Sequence, residues 1–365
     1  MFSNVFKGRK VLVTGHTGFK GSWLVAWLKV LGADVIGFSK DIPTQPSHFE
    51  LANMSQQITD VRGDVTKYNE IQLCIEKYQP EILFHFAANA IVSDCLENPQ
   101  EAFMVNAIGS INVLEAIRHN KSLKSVVMIT SDKCYENVEW EFGYRENDRL
   151  GGKDPYSASK ACAEIAFSSY FRTYLKTHAQ LKIATARAGN VIGGGDWAKS
   201  RIVPDCIRSW STNEEAPIRN PRSTRPWQHV LEPISGYLAL AAKLLEPDCN
   251  INGESFNFGP KAEVNKTVLE LITEMKKYWS NVNWRILDTH YLNQKEASLL
   301  KLSCDKALSH LGWNAALNFE ETVQMTTDWY KNWHGKKQGI EEYTRNQILH
   351  YQDVSQQRGL SWTKK

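Results

Sequence analysis

Through the first half of the chain, short apolar runs alternate with longer stretches whose apolar residues return every three or four positions. The runs at 10–14, 34–38, 82–86, 125–131 and 181–187 have the length and β-branched content of strands. The stretches at 20–31, 68–78, 101–118 and 156–177 have helical period and length. Strands that alternate with helices this long must be joined by parallel crossovers, so the pattern predicts an α/β fold with a doubly wound parallel sheet. Past residue 188 the alternation weakens, and glycine and proline cluster at 193–204 and 217–226. This predicts a smaller, mixed α/β lobe over 191–365 beside a first domain at 1–190, to which a segment near 225–260 returns. The polar tail after Trp333 is expected to be helical or partly disordered.

Composition narrows the partners. A net charge of +3 from 43 basic and 40 acidic residues gives no reason to invoke nucleic acid or an anionic membrane. No apolar run approaches the roughly 20 residues a membrane span needs, and residues 1–10 are too polar for a secretory signal. The seven cysteines are scattered and form no C-x-x-C pair, so neither a disulfide framework nor a zinc site is expected; no metal is expected, and the setting is read as cytoplasmic.

Three local patterns carry chemistry. The first run is followed by Thr14-Gly15-His16-Thr17-Gly18-Phe19-Lys20-Gly21 and then by an apolar helix. Glycines at 15, 18 and 21 let the backbone turn tightly and approach a pyrophosphate, with the free N–H groups of the helix start facing that anion. The spacing is G-x-x-G-x-x-G rather than G-x-G-x-x-G. In the second pattern, Asp154-Pro155 suits a helix start, and Tyr156 and Lys160 follow at i and i+4 on one face. A cation there favours the phenolate, and a phenolate can take a proton from a sugar hydroxyl as hydride leaves the same carbon. The third is Thr130-Ser131-Asp132-Lys133 at the carboxyl end of an apolar strand, where open parallel sheets bind their ligands.

Together these residues resemble the extended short-chain dehydrogenase/reductases and, more narrowly, the CDP-glucose 4,6-dehydratases. The likeness runs from about Phe6 to Trp333. Its most specific pieces are the glycine loop through Trp23, Pro43-Thr44-Gln45-Pro46-Ser47-His48-Phe49-Glu50 and the strand end 130–135. Gly143-Tyr144-Arg145-Glu146, the run 187–197 containing Gly193-Gly194-Gly195-Asp196-Trp197, and 225–232 complete it. The resemblance implies a Rossmann-type domain holding NAD and a smaller lobe holding a nucleotide-sugar. It implies oxidation of the sugar at C4, loss of water across C5 and C6, and return of hydride to C6, a step in deoxysugar and lipopolysaccharide O-antigen biosynthesis. Tyr156 would then be the base at the C4 hydroxyl, Lys160 its electrostatic partner, Ser131 a donor to the C4 oxygen and Asp132 the acid at C6. Gly15, Thr17, Gly18, Phe19, Lys20 and Gly21 would meet the pyrophosphate, and Asp64 and Val65 the adenine. Phe86, Ala87 and Ala88 would line the path, with Asn106 supporting it. Asn190, Arg201, Arg219 and Arg225 would hold the nucleotide-sugar. The family also implies a homodimer or dimer of dimers through the helices at 101–118 and 156–177, with Ile108, Ile111, Val113, Phe167 and Tyr170 as candidate contacts.

Three positions leave alternatives open. Lys133 stands where related dTDP-glucose enzymes carry a glutamate that deprotonates C5, so either a neutral Lys133 or a water held by it serves that step. The second strand ends without an acidic residue for a ribose diol, and Lys40 could accept a 2′-phosphate. The loop Ala87-Ala88-Asn89-Ala90-Ile91-Val92-Ser93-Asp94 departs from the family's Ala-Ala-Gln-Pro-Leu-Val-Arg, which leaves the hexose and the nucleotide open. The rival readings are a nucleotide-sugar 4-epimerase, which needs Tyr156 and Lys160 but not Asp132, and a dinucleotide-binding sensor, which needs only the glycine loop.

Overall fold

The computed structural model describes residues 1–261, 263–287 and 299–364. Seven parallel strands form its central sheet: β1 (Lys10–Thr14), β2 (Asp34–Ser39), β3 (Thr59–Arg62), β4 (Ile82–His85), β5 (Ser125–Ile129), β6 (Lys182–Ala188) and β7 (Ser255–Phe258). Their spatial order is β7-β6-β5-β4-β1-β2-β3. The chain leaves β1 in one direction to build β2 and β3, then crosses back to add β4 on the other side. The crevice between β1 and β4 is thus the topological switch point, where such sheets bind ligands. β4 and β5 are buried along their whole length because helices cover both faces, which explains their unbroken apolar sequence.

One face packs under helices α1 (Phe19–Val30) and α5 (Leu231–Leu244), the other under α2 (Tyr68–Tyr78), α3 (Gly109–Arg118) and α4 (Pro155–Tyr170). Asp154 starts α4 as expected: its carboxylate accepts the Ser157 N–H at 3.0 Å and Pro155 fills the first helical position. Two helices differ from the expectation. The stretch at 101–118 contains a wide turn at Met104–Ile108 between Pro99–Phe103 and α3, and the stretch at 156–177 ends in a second wide turn at Phe171–Leu175. Two strands, β3 and β7, were not anticipated. β3 is a polar edge strand, and β7 adds residues 255–258 to the sheet beside β6.

The tail after Trp333 is mostly helical where described. Helices α6 (Phe319–Lys336) and α7 (Ile340–Gln357) follow one another, and α7 lies against both α6 and α1, its Tyr351 ring 5.5 Å edge-on to Trp27. Trp362 stacks on Phe2 at 4.9 Å, which brings the two ends of the chain together. Glu232, in the first turn of α5, holds this assembly. Its carboxylate is 1% exposed and accepts the Ala316 N–H at 3.0 Å, the Leu317 N–H at 2.6 Å and the Tyr351 hydroxyl at 2.7 Å. Burial pushes its pKa up to about 7 against the pull of these donors. Replacing Glu232 by Ala leaves two buried amides without an acceptor, each costing about 1–3 kcal/mol. The expected loss in urea unfolding is therefore about 3 kcal/mol or more; a loss under about 1 kcal/mol would show that the C-terminal helices do not depend on this carboxylate.

Candidate active site

The glycine loop joins β1 to α1 at the switch point. Gly15 has φ +73°, and a side chain there would come within 2.6 Å of the Ala87 nitrogen; one at Gly21 would run into the Gly15 carbonyl. These two glycines let the loop close against the start of α1. Gly18 caps α1 without any side-chain hydrogen bond, so the first N–H groups of the helix face the crevice. That cradle fits the diphosphate of a dinucleotide. His16 is fully buried beneath it, with Nδ1 2.9 Å from Ser39 Oγ and Nε2 3.0 Å from Asp60. Thr17 donates to the Asp41 carbonyl at 2.6 Å. At the other end of the cradle, Asp64 accepts from the Thr66 amide and hydroxyl and pairs with Lys40 at 3.4 Å, so Lys40 is turned toward a carboxylate. Val65 is buried against Gly109, and its carbonyl accepts from Asn112 at 2.9 Å. Phe86, Ala87 and Ala88 leave β4 half-buried.

The wide turn at Met104–Ile108 places Asn106, fully buried, against the next segment. Its side chain accepts the Asn89 N–H at 2.8 Å and donates to Ser159 at 2.9 Å, and Ser159 donates to the Tyr156 carbonyl at 2.8 Å. The divergent loop at 89–94 is thus tied to the helix carrying Tyr156.

Beyond the end of β5, Ser131 donates to Asp132 at 3.0 Å and accepts the Lys133 N–H at 3.2 Å. Asp132 is 3% exposed. Burial raises its pKa, against the charges of Lys133 and Lys20 and the Ser131 hydrogen bond. The absence of a side chain at Gly189 makes room for it, since a Cβ there would lie 2.6 Å from Asp132 Oδ2. Tyr156 faces this pair. Burial pushes its pKa up to about 12, opposed by a Ser131 hydrogen bond and by the charge of Arg201. Desolvation outweighs these two influences, although Arg201 acts in the sense expected of a neighbouring cation. Lys160 is itself brought down to about 8 by burial, as is Lys20, which feels the charges of Arg201, Asp132 and Lys160.

The fold therefore gathers Lys20, Ser131, Asp132, Tyr156, Lys160 and Arg201 at one edge. Arg201 is held by Asp196 at 2.8 Å, and Asp196 is fixed in turn through its carbonyl, which accepts from Tyr330 on α6 at 2.6 Å. Asn190 lies two residues past the end of β6, and its carbonyl accepts the Gln228 N–H at 3.3 Å. Arg225 lies in a short strand pairing with Lys266, while Arg219 stands exposed just past the strand Ala216–Ile218. Lys133 is half-buried next to Asp132. Sequence reasoning missed the network under the site: Thr130, Glu164, Thr185 and Arg187 meet in the interior. Its one legible sign is Glu164 four residues past Lys160, on the face shared with Tyr156.

A methyl group at Gly21 would close the cradle. Gly21→Ala is expected to weaken dinucleotide binding about ten-fold or more, equivalent to ~1.4 kcal/mol, in a fluorescence titration. Gly335→Ala, where nothing lies within 4 Å, serves as the control. Equal affinities in the two variants would remove the pyrophosphate from this loop.

Comparison with known proteins converges on one group. The family model for GDP-mannose 4,6 dehydratase matches residues 12–326. CDP-glucose 4,6-dehydratase of Salmonella typhimurium is 43% identical over 335 residues, covering 90% of this chain and 92% of that protein. Among solved structures, dTDP-glucose 4,6-dehydratase from Bacillus anthracis in complex with NAD superposes with a TM-score of 0.73 at 20% identity, covering 90% of this chain and 98% of that one. UDP-glucuronic acid 4-epimerase from Bacillus cereus, in complex with UDP-glucuronic acid and NAD, gives 0.74 at 22% identity over 88% and 99%. These two structures share the fold alone. A match spanning most of the chain, with the glycine cradle and the Ser131–Asp132–Tyr156–Lys160 edge in place, shows that the chain belongs to the GDP-mannose 4,6 dehydratase family.

Proposed function

We propose that the protein is an NAD-dependent CDP-glucose 4,6-dehydratase that forms CDP-4-keto-6-deoxyglucose. The observation that carries the reading is Asp132: a buried carboxyl with a raised pKa, held by Ser131 opposite Tyr156. The 43% identity to the Salmonella enzyme supports cytidine as the nucleotide. NAD, when bound in the glycine cradle, supplies the acceptor and donor of hydride. Tyr156 takes the proton of the C4 hydroxyl, and Ser131 keeps the phenol and the C4 oxygen in register. Lys160 and Arg201 supply positive charge to this edge, which lowers the cost of the phenolate against its burial. Once C4 is a ketone the C5 proton is acidified; Lys133, next to Asp132, or a water it holds, removes it. Asp132 gives its proton to the C6 hydroxyl, which leaves as water. The diphosphate and nucleotide lie toward Arg201, Arg219, Arg225 and Asn190.

Asp132→Asn keeps shape but supplies no proton. Turnover should fall about 10²–10⁴-fold, the usual worth of positioned acid catalysis, while the enzyme-bound NADH signal still appears on mixing with CDP-glucose. Tyr156→Phe should give no NADH signal. Product analysis across CDP-, dTDP-, GDP- and UDP-glucose is expected to yield a 4-keto sugar fastest from the CDP form. A C4 epimer as product, or wild-type turnover by Asp132→Asn, would overturn the assignment.

The same reading includes a homodimer in the cytoplasm. Val113 and Phe167, expected at the interface, instead face the sheet at 0% and 2% exposure. The apolar side chains left outward on the two helices are Met104, Ile108, Ile165 and Tyr174, at 41%, 38%, 57% and 48%. Four large apolar groups on neighbouring helices suit a self-complementary contact. All seven cysteines are free thiols, as suits a reducing compartment. Light scattering at micromolar concentration should give a dimer or tetramer mass, and Ile165→Asp should shift it toward the monomer; a monomer for the unaltered chain would remove the proposal.

A further inference from the structure

Glu164 lies on α4 one turn past Lys160 and two turns past Tyr156, so the three share one helix face. It is 2% exposed. Its carboxylate receives five donors: the Thr130 hydroxyl, the Thr185 hydroxyl at 3.0 Å, Arg187 Nε at 2.9 Å and Nη2 at 2.7 Å, and the Ser255 hydroxyl at 3.3 Å. These come from β6, from β7 and from the residue that follows β5. One carboxylate therefore pins α4 to three adjacent strands. Arg187, 3% exposed, spends its remaining donor on the Tyr135 hydroxyl and the Glu146 carbonyl, so the charge pair is closed on both sides.

Thr130 is the consequential partner. It directly precedes Ser131 and Asp132, and its own N–H is fixed to the Ala186 carbonyl at 2.9 Å. Its hydroxyl is the one side-chain link among these that joins the Ser131–Asp132 end of β5 to the helix carrying Tyr156. A reacting geometry must be held to a fraction of an ångström, and a misplacement near 1 Å costs about 10²-fold in rate. A buried carboxylate–guanidinium pair is not needed for stability as such, since well-packed apolar residues serve as well or better.

We propose that Glu164 is a positioning residue of the reaction: through Thr130 it sets Ser131 and Asp132 against Tyr156 and Lys160. The charge of Glu164 also favours the cationic form of Lys160, against the burial that lowers its pKa. Burial raises the pKa of Glu164 itself, but Arg187 and the hydroxyl donors outweigh it, and the carboxylate stays ionised.

The inference rests on Ser131, Asp132 and Tyr156 being the reacting side chains, and the test separates the two. Removing Glu164 would strand Arg187 in the core, so the informative change is at Thr130. Thr130→Val keeps the shape and leaves the ion pair intact; Thr130→Ser restores the hydroxyl. The readouts are melting temperature, affinity for NAD and for CDP-glucose, and the single-turnover rate of NADH formation. Thr130→Val is expected to form NADH about ten-fold or more slowly with both affinities within about two-fold, and Thr130→Ser to recover most of that rate. A Thr130→Val enzyme that is less stable but oxidises C4 at the wild-type rate would overturn the proposal and leave Glu164 a core ion pair. A fully active Tyr156→Phe would overturn the site assignment and the proposal with it.

Discussion

Desolvation at the carboxyl edge of the sheet governs the chemistry available to this protein. Asp132, Tyr156, Lys160 and Lys20 are all moved by burial toward their neutral forms: the acid and the phenol upward, the two amines downward to about 8. In water the phenol and the amines hold their protons about equally; burial parts them, the phenol rising to about 12 and the amines falling to about 8, while the carboxyl moves up toward the amines. A carboxyl whose pKa burial raises is protonated more of the time than a surface aspartate, which suits it to donate to a poor leaving group. The cost is that the phenolate needs compensation, and the charge of Arg201 and the Ser131 hydrogen bond act in that direction.

Dryness has to be built, and much of the molecule builds it. The sheet brings loop, strand end and helix to one edge, and the missing side chain at Gly189 lets the backbone close on Asp132. From the other side, α6 presses the run at 193–197 onto α1: Trp23 donates to the Gly194 carbonyl at 2.9 Å, and Tyr330 donates to the Asp196 carbonyl. His48, between Ser22 and Thr344 at 2.8 and 3.1 Å, ties α1 to α7. Arg201 therefore reaches the active edge from a platform fixed by the last helices of the chain.

The parts of this arrangement legible in the sequence are those governed by local period. The apolar runs revealed five of the seven strands, and the i, i+4 spacing put Tyr156 beside Lys160. β3 escaped because Thr-Asp-Val-Arg at a sheet edge buries little and carries no apolar run. The tail read as helical or partly disordered because α7 has few apolar residues, yet Ile348 and Tyr351 are fully buried and carry its packing. Thr130, Glu164 and Arg187 escaped for a different reason. They are separated by 34 and 23 residues, so only the order of strands in the sheet makes them neighbours. Sequence spacing shows that Lys160 shares a helix face with Tyr156 but not the burial that raises the pKa of the phenol.

Rigidity at this edge also bears on the rival reaction. An epimerase must return hydride to the opposite face of the C4 ketone, so the oxidised sugar has to turn over within the site. A dehydratase returns hydride to C6 of a sugar that stays in place. A pocket for the first reaction needs slack around the hexose, whereas a pocket for the second gains from a fixed acid at C6. Asp132 has no slack: Ser131 holds one oxygen, the Gly189 backbone abuts the other, and the segment bearing it is bound through Thr130 to α4. With Asp132 as the proposed donor at C6, an acid fixed in this way serves elimination and gives no help to inversion.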